Sequence, residues 1–402
     1  MKNQIINLFV TPIEKFFKIE AASGIVLIFF AILAMMLANS RYADLYFEIL
    51  NYKILFLSIG HWVNDALMAI FFFIVGLEIK KEIVAGELSS FRKSILPVGA
   101  AIGGMIVPAS IYVYLNRDGG NMNAWAIPMA TDIAFALGVL SLFGSRVPLN
   151  LKIFLLALAI VDDLGAVITI ALFYTNDIKL LGLLIAAIGL ALTVSFRRFR
   201  IGNYLVYIFT GLIVWIGFLY SGVHATIAGV LMGLMTPYTF YRKSTDGISV
   251  TYSPVNDWIH FLHPYVGFLI MPIFALANAG VSFNGVSYEV IQNSAISNGI
   301  IGGLILGKPI GILSISAMLI VFKIAELPKN VNWISYTSIS LLAGIGFTMS
   351  IFISSLSLVG EELVQAKIGI LLGSGLSALL GGFLFWVSSR KKNDSDMYIR
   401  PN

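Results

Sequence analysis

The amino-acid sequence predicts an all-α polytopic membrane protein of about twelve transmembrane helices. Hydrophobic residues make up 58% of its 402 residues and charged residues only 12%, whereas about a quarter of a soluble domain is charged. The hydrophobic residues fall into runs of about 17–25 residues, the length that a helix needs to cross a bilayer. The third observation is that the basic residues are distributed unequally between alternate loops.

The N-terminal segment differs in composition from the runs that follow it. It mixes Lys2, Glu14 and Lys15 with several phenylalanines, a pattern that predicts a helix lying on the membrane surface. The segment is too long and too acidic for the n-region of a signal peptide, and the next run ends near Ala38 without a cleavage context. We therefore expect a cytoplasmic surface helix at residues 1–20, followed by a retained first span.

Eleven further apolar runs predict the remaining spans. Their boundaries are residues 59–77, 95–115, 124–144, 151–174, 178–196, 203–220, 222–238, 258–280, 299–322, 332–356 and 364–388. With a cytoplasmic N-terminus, 20 of the 26 lysines and arginines lie in cytoplasmic segments, and Lys308 and Lys367 lie inside spans. The four basic residues in external segments are Arg41, Lys53, Arg117 and Lys179. The positive-inside rule then predicts that both termini, including a tail at residues 389–402, are cytoplasmic.

The loops between the runs are short, which predicts a single transmembrane domain over residues 1–402. Residues 41–54 alternate aromatic and aliphatic side chains with polar ones, a pattern that fits either an external hairpin pairing with another copy or a disordered loop. The absence of cysteine excludes disulfides, thiolate metal sites and cysteine nucleophiles. The net charge of +5 arises from basic residues that lie mainly in the predicted cytoplasmic segments. We therefore expect the lipid bilayer, and no nucleic acid, as the partner.

Charged residues inside the predicted spans are few. Asp162 and Asp163 stand side by side in the fifth span, Asp132 lies in the fourth and Lys308 in the tenth. An ionised carboxylate at the bilayer centre costs about 3 kcal/mol on insertion scales, so intramembrane charges mark functional sites. We predict that the adjacent carboxylates handle cations. Asp65, near the outer end of the second span, is more typical of a structural group at the interface.

Two spans contain helix-breaking sequence. Pro128 lacks a backbone donor and opens the hydrogen-bond ladder just before Thr131 and Asp132. The eleventh span is interrupted in its middle by Gly344 and Gly346. Non-helical backbone at membrane depth is tolerated only where protein or water covers it. We therefore predict that spans 4 and 11 are discontinuous helices crossing at the midplane, within inverted repeats of spans 3–5 and 10–12.

Seven strings between the second and eleventh spans carry a specific resemblance. They are GLEIKKE (residues 76–82), ATDIAFALG (130–138), VDDLGAV (161–167), SGVHATIAGV (221–230), HPYVGFLIMPIFALANAG (263–280), GKPIGI (307–312) and AGIGFTMSIFI (343–353). With these strings the chain closely resembles the NhaA-type bacterial sodium/proton antiporters. The resemblance covers nearly the whole chain.

The resemblance implies a secondary transporter rather than an enzyme. Such a transporter exports sodium and lithium in exchange for protons by alternating access, is electrogenic and is activated by pH. The family also implies a homodimer in the bacterial cytoplasmic (inner) membrane, without a cofactor. The residues agree with this activity, because hard cations such as sodium favour carboxylate, carbonyl and water oxygens.

Roles for individual residues follow from the resemblance alone. Asp163 resembles the principal cation-binding carboxylate, and Asp162 the second carboxylate, which pairs with the charge-compensating Lys308. Thr131 and Asp132 match the broken fourth helix of the family. The residues that resemble the cytoplasmic entrance and its pH-response group are Glu78, Lys81, Glu82, His224, His260 and His263.

Two alternatives remain open at the level of sequence. A sodium-coupled solute symporter would use the same broken helices, but it requires a pocket for an organic substrate. An intramembrane enzyme would use Asp132 and Asp163 as an aspartyl dyad, or Asp162 and Asp163 as a magnesium clamp. The enzyme is disfavoured because the usual Gly-x-Gly-Asp setting and further carboxylates at metal-ligand spacing are absent from the sequence.

Overall fold

The computed structural model describes residues 22–175, 178–243, 249–283 and 293–397, and most of these residues are helical. The surface helix predicted at residues 1–20 lies outside the described residues, as do residues 398–402 at the end of the predicted tail. The predicted all-α class is therefore confirmed for the part of the chain that the structure describes.

The elements are numbered here in chain order. The helices are α1 Ala22–Ala38, α2 Ala43–Asn51, α3 Ile59–Ala85, α4 Phe91–Asn116, α5 Ile133–Ser141, α6 Leu149–Phe173, α7 Leu180–Arg198, α8 Tyr204–Ser221, α9 Thr226–Met235, α10 Pro254–Asn278, α11 Ala295–Val321, α12 Trp333–Leu342, α13 Phe347–Ser357 and α14 Gly360–Met397. The strands are β1 Lys53–Ile54, β2 Leu57–Ser58, β3 Phe240–Lys243 and β4 Ser249–Tyr252, which pair as two antiparallel hairpins, β1 with β2 and β3 with β4. Short 3₁₀ turns at Met122–Ala124 and Ile127–Met129 precede α5.

The number of membrane spans depends on how interrupted helices are counted. Within the described residues, nine helical segments are long and apolar enough to cross a membrane, or up to eleven if each of two bent helix pairs is one span. One of these pairs is α12 and α13, bent by 41°. Helix α9 lies within the predicted span at residues 222–238, but its ten residues are too few to cross a membrane. The exact number of twelve therefore stays a prediction.

The segment at residues 41–54 folds differently from either sequence expectation. Most of it is α2, and only β1, at its end, enters a hairpin with β2. The helix is held by Tyr46, whose buried hydroxyl donates a hydrogen bond of 2.6 Å to the carbonyl of Leu276. The contact joins two residues that are 230 positions apart in the sequence. The local alternation of polar and apolar residues therefore could not predict the helix.

The chain divides into two compact units. One consists of the segments Met1–Ala43, Ser94–Asp162 and Asn278–Asn402, and the other of Asp44–Lys93 and Asp163–Ala277. The division falls inside α6, between the two adjacent aspartates. The first unit contains the two broken spans, and the second contains α3 and α7–α10.

Glycines bring helix backbones together within each unit. In the first unit a Cβ atom on Gly103 of α4 would collide with the carbonyl of Gly311 on α11, and the reverse holds as well. In the second unit a Cβ atom on Gly76 of α3 would lie only 3.1 Å from the Cα atom of Gly233 on α9. Small residues are enriched at such interfaces because lipid provides no hydrophobic force between helices, so close van der Waals packing drives their association.

Candidate functional site

The interruptions of the two broken spans contact each other in the first unit. The first half of span 4 consists of 3₁₀ turns rather than an α-helix, and the chain is extended at Asp132 before α5 begins. The backbone N–H of Asp132 donates to the carbonyl of Ile345 at 2.6 Å. The hydroxyl of Thr131 donates to the carbonyl of Ala343 at 2.8 Å. The predicted discontinuity of spans 4 and 11 is confirmed, and each interruption satisfies backbone groups of the other.

The break in span 11 depends on close packing as well as on helix propensity. Helix α12 ends at Leu342 and α13 begins at Phe347, so Gly344 and Gly346 lie in the gap. A Cβ atom on Gly344 would collide with the carbonyl of Leu304 on α11. Glycine is therefore needed at this position to let α11 approach the interruption.

The carboxylate of Asp132 joins the N-termini of two helices. One oxygen accepts from the backbone N–H of Phe135 at 3.0 Å and caps α5. The other accepts from the backbone N–H of Thr348 at 3.1 Å and from its hydroxyl, in the first turn of α13. Because helix N-termini carry partial positive charge, one buried carboxylate stabilises both ends.

Lys308 supplies the opposite charge in the same unit. Its side chain is 0% exposed, and its ammonium donates to the Asp162 carboxylate at 2.6 Å and to the carbonyl of Met129. The hydroxyl of Thr131 lies 2.8 Å from the same Asp162 oxygen. The structure thus brings together Thr131, Asp162 and Lys308 from three spans. The ammonium neutralises both a carboxylate and the carbonyl end of the broken fourth span.

The backbone before Lys308 is a π-helical segment, Gly303–Gly307. The ring of Pro309 removes a backbone donor and would clash with the carbonyl one turn earlier in a regular α-helix. The wider turn accommodates this ring, and it lets Gly303 pack against Pro128 and Gly307 against Pro108. These contacts fix the depth at which the lysine side chain leaves α11.

One oxygen of the central carboxylate has no hydrogen-bond partner in the part of the chain that the structure describes. Asp162 Oδ2 accepts from Lys308 and lies 2.8 Å from the Thr131 hydroxyl, whereas the buried Oδ1 has no hydrogen-bond partner among the described residues. Asp163 is the next residue of α6 and is 2% exposed. Burying a carboxylate oxygen without a donor is unfavourable, so this atom suits a proton or a hard cation.

Sequence reasoning did not identify Thr348 as the partner of Asp132. The only local signal in the sequence is that Thr348 follows two closely spaced glycines, Gly344 and Gly346, in the middle of a span. The two residues are 216 positions apart, so only the fold pairs them. Ser350, the second hydroxyl of this stretch, donates to the carbonyl of Ile127 at 2.8 Å.

We expect Asp132→Ala to destabilise the protein about twice as much as the loss of one ordinary helix cap. An N-cap residue contributes about 1 kcal/mol, and Asp132 caps two helices. The matched control is Asn332→Ala, which removes the side chain that caps α12 alone. Thermal unfolding of the purified protein, followed by fluorescence-detected size exclusion, gives the comparison. Equal shifts in Tm for the two variants would contradict the double-cap interpretation.

The residues that resemble the entrance and pH-response group lie in the second unit and do not all meet. Glu78 Oε1 and His263 Nε2 are 4.0 Å apart and largely buried. Glu82 accepts a hydrogen bond of 2.7 Å from the backbone N–H of Glu87. The exposed side chains of this set are Lys81 and His260.

His224 falls in the predicted span at residues 222–238, but in the structure it lies between α8 and α9, outside the helices that are long enough to cross a membrane. Its Nε2 is 2.7 Å from the carbonyl of Tyr174, and it must donate there because a carbonyl only accepts. Burial lowers the pKa of His224 below its ordinary value of 6.5, and the bond to the carbonyl opposes this shift. The imidazole is therefore mainly neutral at pH 7.

A multi-pass helical protein with a buried lysine and carboxylates where two discontinuous spans meet has the architecture of an ion-coupled secondary transporter. The family model of Na+/H+ antiporter 1 matches residues 14–385. The chain belongs to this family, which consists of transporters rather than enzymes.

Individual relatives agree over nearly their full length. The chain is 47% identical to Na(+)/H(+) antiporter NhaA 1 of Clostridium beijerinckii, over 98% of this chain and 100% of that protein. It is 44% identical to Na(+)/H(+) antiporter NhaA of Pelagibacter ubique, over 94% of this chain and 98% of that protein. It is 46% identical to Na(+)/H(+) antiporter NhaA of Tolumonas auensis, over 94% and 96% of the two chains.

Proposed function

We propose that this protein exports sodium and lithium from the cytoplasm in exchange for protons. The observation that carries the proposal is the carboxylate of Asp162, which is buried with one oxygen bound to Lys308 and the other without a partner among the described residues. A second buried carboxylate, Asp163, follows it directly. Such a pair offers both a proton acceptor and oxygen ligands for a hard cation.

In this proposal the transported cation binds mainly at Asp163. Adjacent residues on a helix point about 100° apart, so the two carboxylates have different surroundings. Asp162 accepts a hydrogen bond from the Lys308 ammonium. The assignment of Asp163 as the principal cation ligand is carried over from the family. Asp162 takes part through its free oxygen and through the proton-linked pairing with Lys308. No cofactor is required, because the chemistry is the exchange of one bound ion for another.

Competition at one site produces exchange. A carboxylate that holds a proton has lost the charge with which it binds sodium, so proton loading and sodium loading exclude each other. Alternating exposure of this site to the two sides of the membrane then couples the downhill entry of protons to sodium export. Asp132 and Lys308 keep the broken helix ends neutralised while the occupancy of the site changes.

The proposed stoichiometry is two protons for one sodium ion, as in the family. Each cycle would then move one net positive charge inward, which is worth about 2.3 kcal/mol per 100 mV of membrane potential. Acidic cytoplasm stops transport, because carboxylates protonated on that side cannot bind sodium. Glu78, Lys81, Glu82, His260 and His263 are the proposed pH-response group at the cytoplasmic entrance.

His224, which resembles a pH-response position of the family, acts on exchange through its hydrogen bond rather than its charge. Because its pKa is lowered below 6.5, it stays mainly neutral from about pH 6.5 to 8.5. We expect His224→Gln, which keeps a donor for the carbonyl of Tyr174, to leave the pH profile of sodium-dependent exchange unchanged over this range. His224→Leu, which removes the donor, should reduce the exchange rate. A displaced midpoint in His224→Gln would show that the imidazole itself titrates.

The proposed location is the bacterial cytoplasmic (inner) membrane, with both termini cytoplasmic and two copies forming a homodimer. The distribution of basic residues supports the orientation. The bacterial relatives support the compartment, and the dimer is carried over from the family.

The experiment that tests the function is a pH-gradient dye assay in everted vesicles or proteoliposomes. Sodium, lithium or potassium is added at about pH 6.5 to 8.5, and we expect sodium and lithium, but not potassium, to dissipate the gradient. A membrane potential imposed with valinomycin should change the rate if exchange is electrogenic. A gradient that sodium does not dissipate would end the antiporter proposal. A sodium effect that requires an organic solute would instead favour symport.

A further inference from the structure

A cavity of about 370 Å³ opens at the surface of the first unit, beside the broken spans. Its walls come from α1, α5, α13 and α14, and include Ile32, Met36, Phe135, Phe347 and Leu371. Ile32 and Met36, at its mouth, are 55% and 65% exposed. The helices around the cavity belong to candidate membrane spans, and its exposed mouth is apolar, as expected of a cavity that opens toward lipid chains.

The cavity is suited to an apolar group. Its two polar side chains are already engaged. Asn39 donates to the carbonyls of Met35 and Val281 and accepts from the backbone N–H of Phe283. Ser374 accepts from the backbone N–H of Phe347. The volume lies at the lower end of the range of about 300–1,000 Å³ in which proteins bind small molecules.

A lysine lies one turn along α14 from the cavity. Lys367, Leu371 and Ser374 share one face of this helix, since they are spaced by four and three residues. Lys367 is largely buried, and its ammonium has neither an ion pair nor a hydrogen bond with any residue that the structure describes. It lies about 10 Å from the start of α14 at Gly360, within reach of the membrane interface for a long side chain.

We propose that the first unit binds one anionic glycerophospholipid at this place. One acyl chain occupies the cavity, and the phosphate accepts hydrogen bonds from the Lys367 ammonium. The occupant is a lipid rather than a free anion because the cavity wall is apolar and its mouth faces the hydrocarbon layer. It is a phospholipid rather than a neutral lipid because Lys367, whose ammonium has no partner among the described residues, lies on the same helix face toward the start of α14.

The acyl chain would touch the first turns of the helices that Asp132 caps. Phe135 and Phe347 line the cavity with their rings 5.4 Å apart. The backbone N–H of Phe135 bonds to Asp132, and that of Phe347 bonds to Ser374. A bound lipid therefore packs against the interruption without reaching the carboxylates, and we expect it to raise Tm. This inference does not depend on which ion is transported.

The test is native mass spectrometry of the full-length protein in detergent, with phosphatidylglycerol or dioleoylglycerol added. We expect the wild type to retain one phosphatidylglycerol. Lys367→Gln should retain it about tenfold less tightly, because a charge-assisted hydrogen bond is lost. Its retention of dioleoylglycerol, which has no phosphate, should not change. The matched control is Lys329→Gln, a change at an exposed lysine in the loop before α12.

The cavity itself is tested by filling it. A Cβ atom on Gly375 would meet nothing within 4 Å, so Gly375→Leu should fold and prevent retention of both lipids. Gly375→Ala, which raises helix propensity but adds little volume, should bind as the wild type does. Ile32→Trp, at the exposed mouth, gives a second blocking variant. Equal lipid retention by the wild type, Lys367→Gln and both blocking variants would overturn the proposal. A change in oligomer mass in place of lipid retention would also overturn it, since the face would then be an interface between copies.

Discussion

Asp163→Asn is expected to abolish sodium-dependent proton exchange while leaving the protein folded and inserted. Asparagine keeps the shape of the buried side chain, which is 2% exposed, but it carries no charge with which to hold a cation and cannot exchange a proton. The measurement is dissipation of a pH gradient in vesicles, together with Tm and the amount of protein in the membrane. We expect the rate to fall to that of vesicles without the protein.

The matched control for this variant is Asp118→Asn. Its carboxylate is 83% exposed and lies beside Arg117 in a loop of the first unit, so the same chemical change should leave exchange unaltered. Full activity in Asp163→Asn would show that the cation site is elsewhere. A lower rate in both variants would attribute the effect to expression or insertion.

Lys308→Ala is expected to lower both stability and exchange. The side chains of Lys308 and Asp162 are both fully buried and 2.6 Å apart. Removing one partner of a buried ion pair leaves an uncompensated charge and typically costs about 3–5 kcal/mol. The carbonyl of Met129 also loses its donor. We therefore expect a clear decrease in Tm of the purified protein, as well as slower exchange in vesicles.

A double variant separates the two effects. Lys308→Ala combined with Asp162→Asn removes the unpaired charge, so it should regain part of the lost Tm without regaining exchange. Lys329→Ala, at an exposed position, should change neither quantity. An unchanged Tm in the single variant Lys308→Ala would count against the ion pair as a source of stability.

Much of the membrane architecture was predictable because its determinants are local. The length of a span can be read directly from the length of its apolar run, and the observed helices α4 and α6 to α8 agree with the predicted spans within a few residues. The largest differences are at helix ends. Helix α3 continues to Ala85 rather than residue 77, and α14 extends to Met397. Hydrophobicity marks the part of a helix that lies in lipid, but not where the helix itself ends.

The positions of the two helix interruptions were predictable from the sequence, but their backbone conformation was not. Pro128 and the glycines at 344 and 346 mark the breaks, because their backbone constraints act within one helical turn. That the first half of span 4 consists of 3₁₀ turns was not predicted. The residues of these turns form hydrogen bonds with partners that are distant in the sequence. For example, the hydroxyl of Ser350 donates to the carbonyl of Ile127. The helical fold of α2 also involves such a distant contact, between Tyr46 and Leu276.

The adjacent carboxylates of α6 also have some features that the sequence determines and others that only the tertiary structure determines. By itself the sequence determined that Asp162 and Asp163 lie deep in an apolar span, because burial in lipid follows from local hydrophobicity and length. It also determined that a lysine and a further aspartate occur at similar depth in other spans. Only the tertiary structure decided that Lys308 reaches Asp162 and that Asp132 reaches Thr348, contacts that join residues 146 and 216 positions apart. Such pairings depend on which faces of separate helices meet, and helix packing is set by the shapes of many side chains together rather than by any one segment.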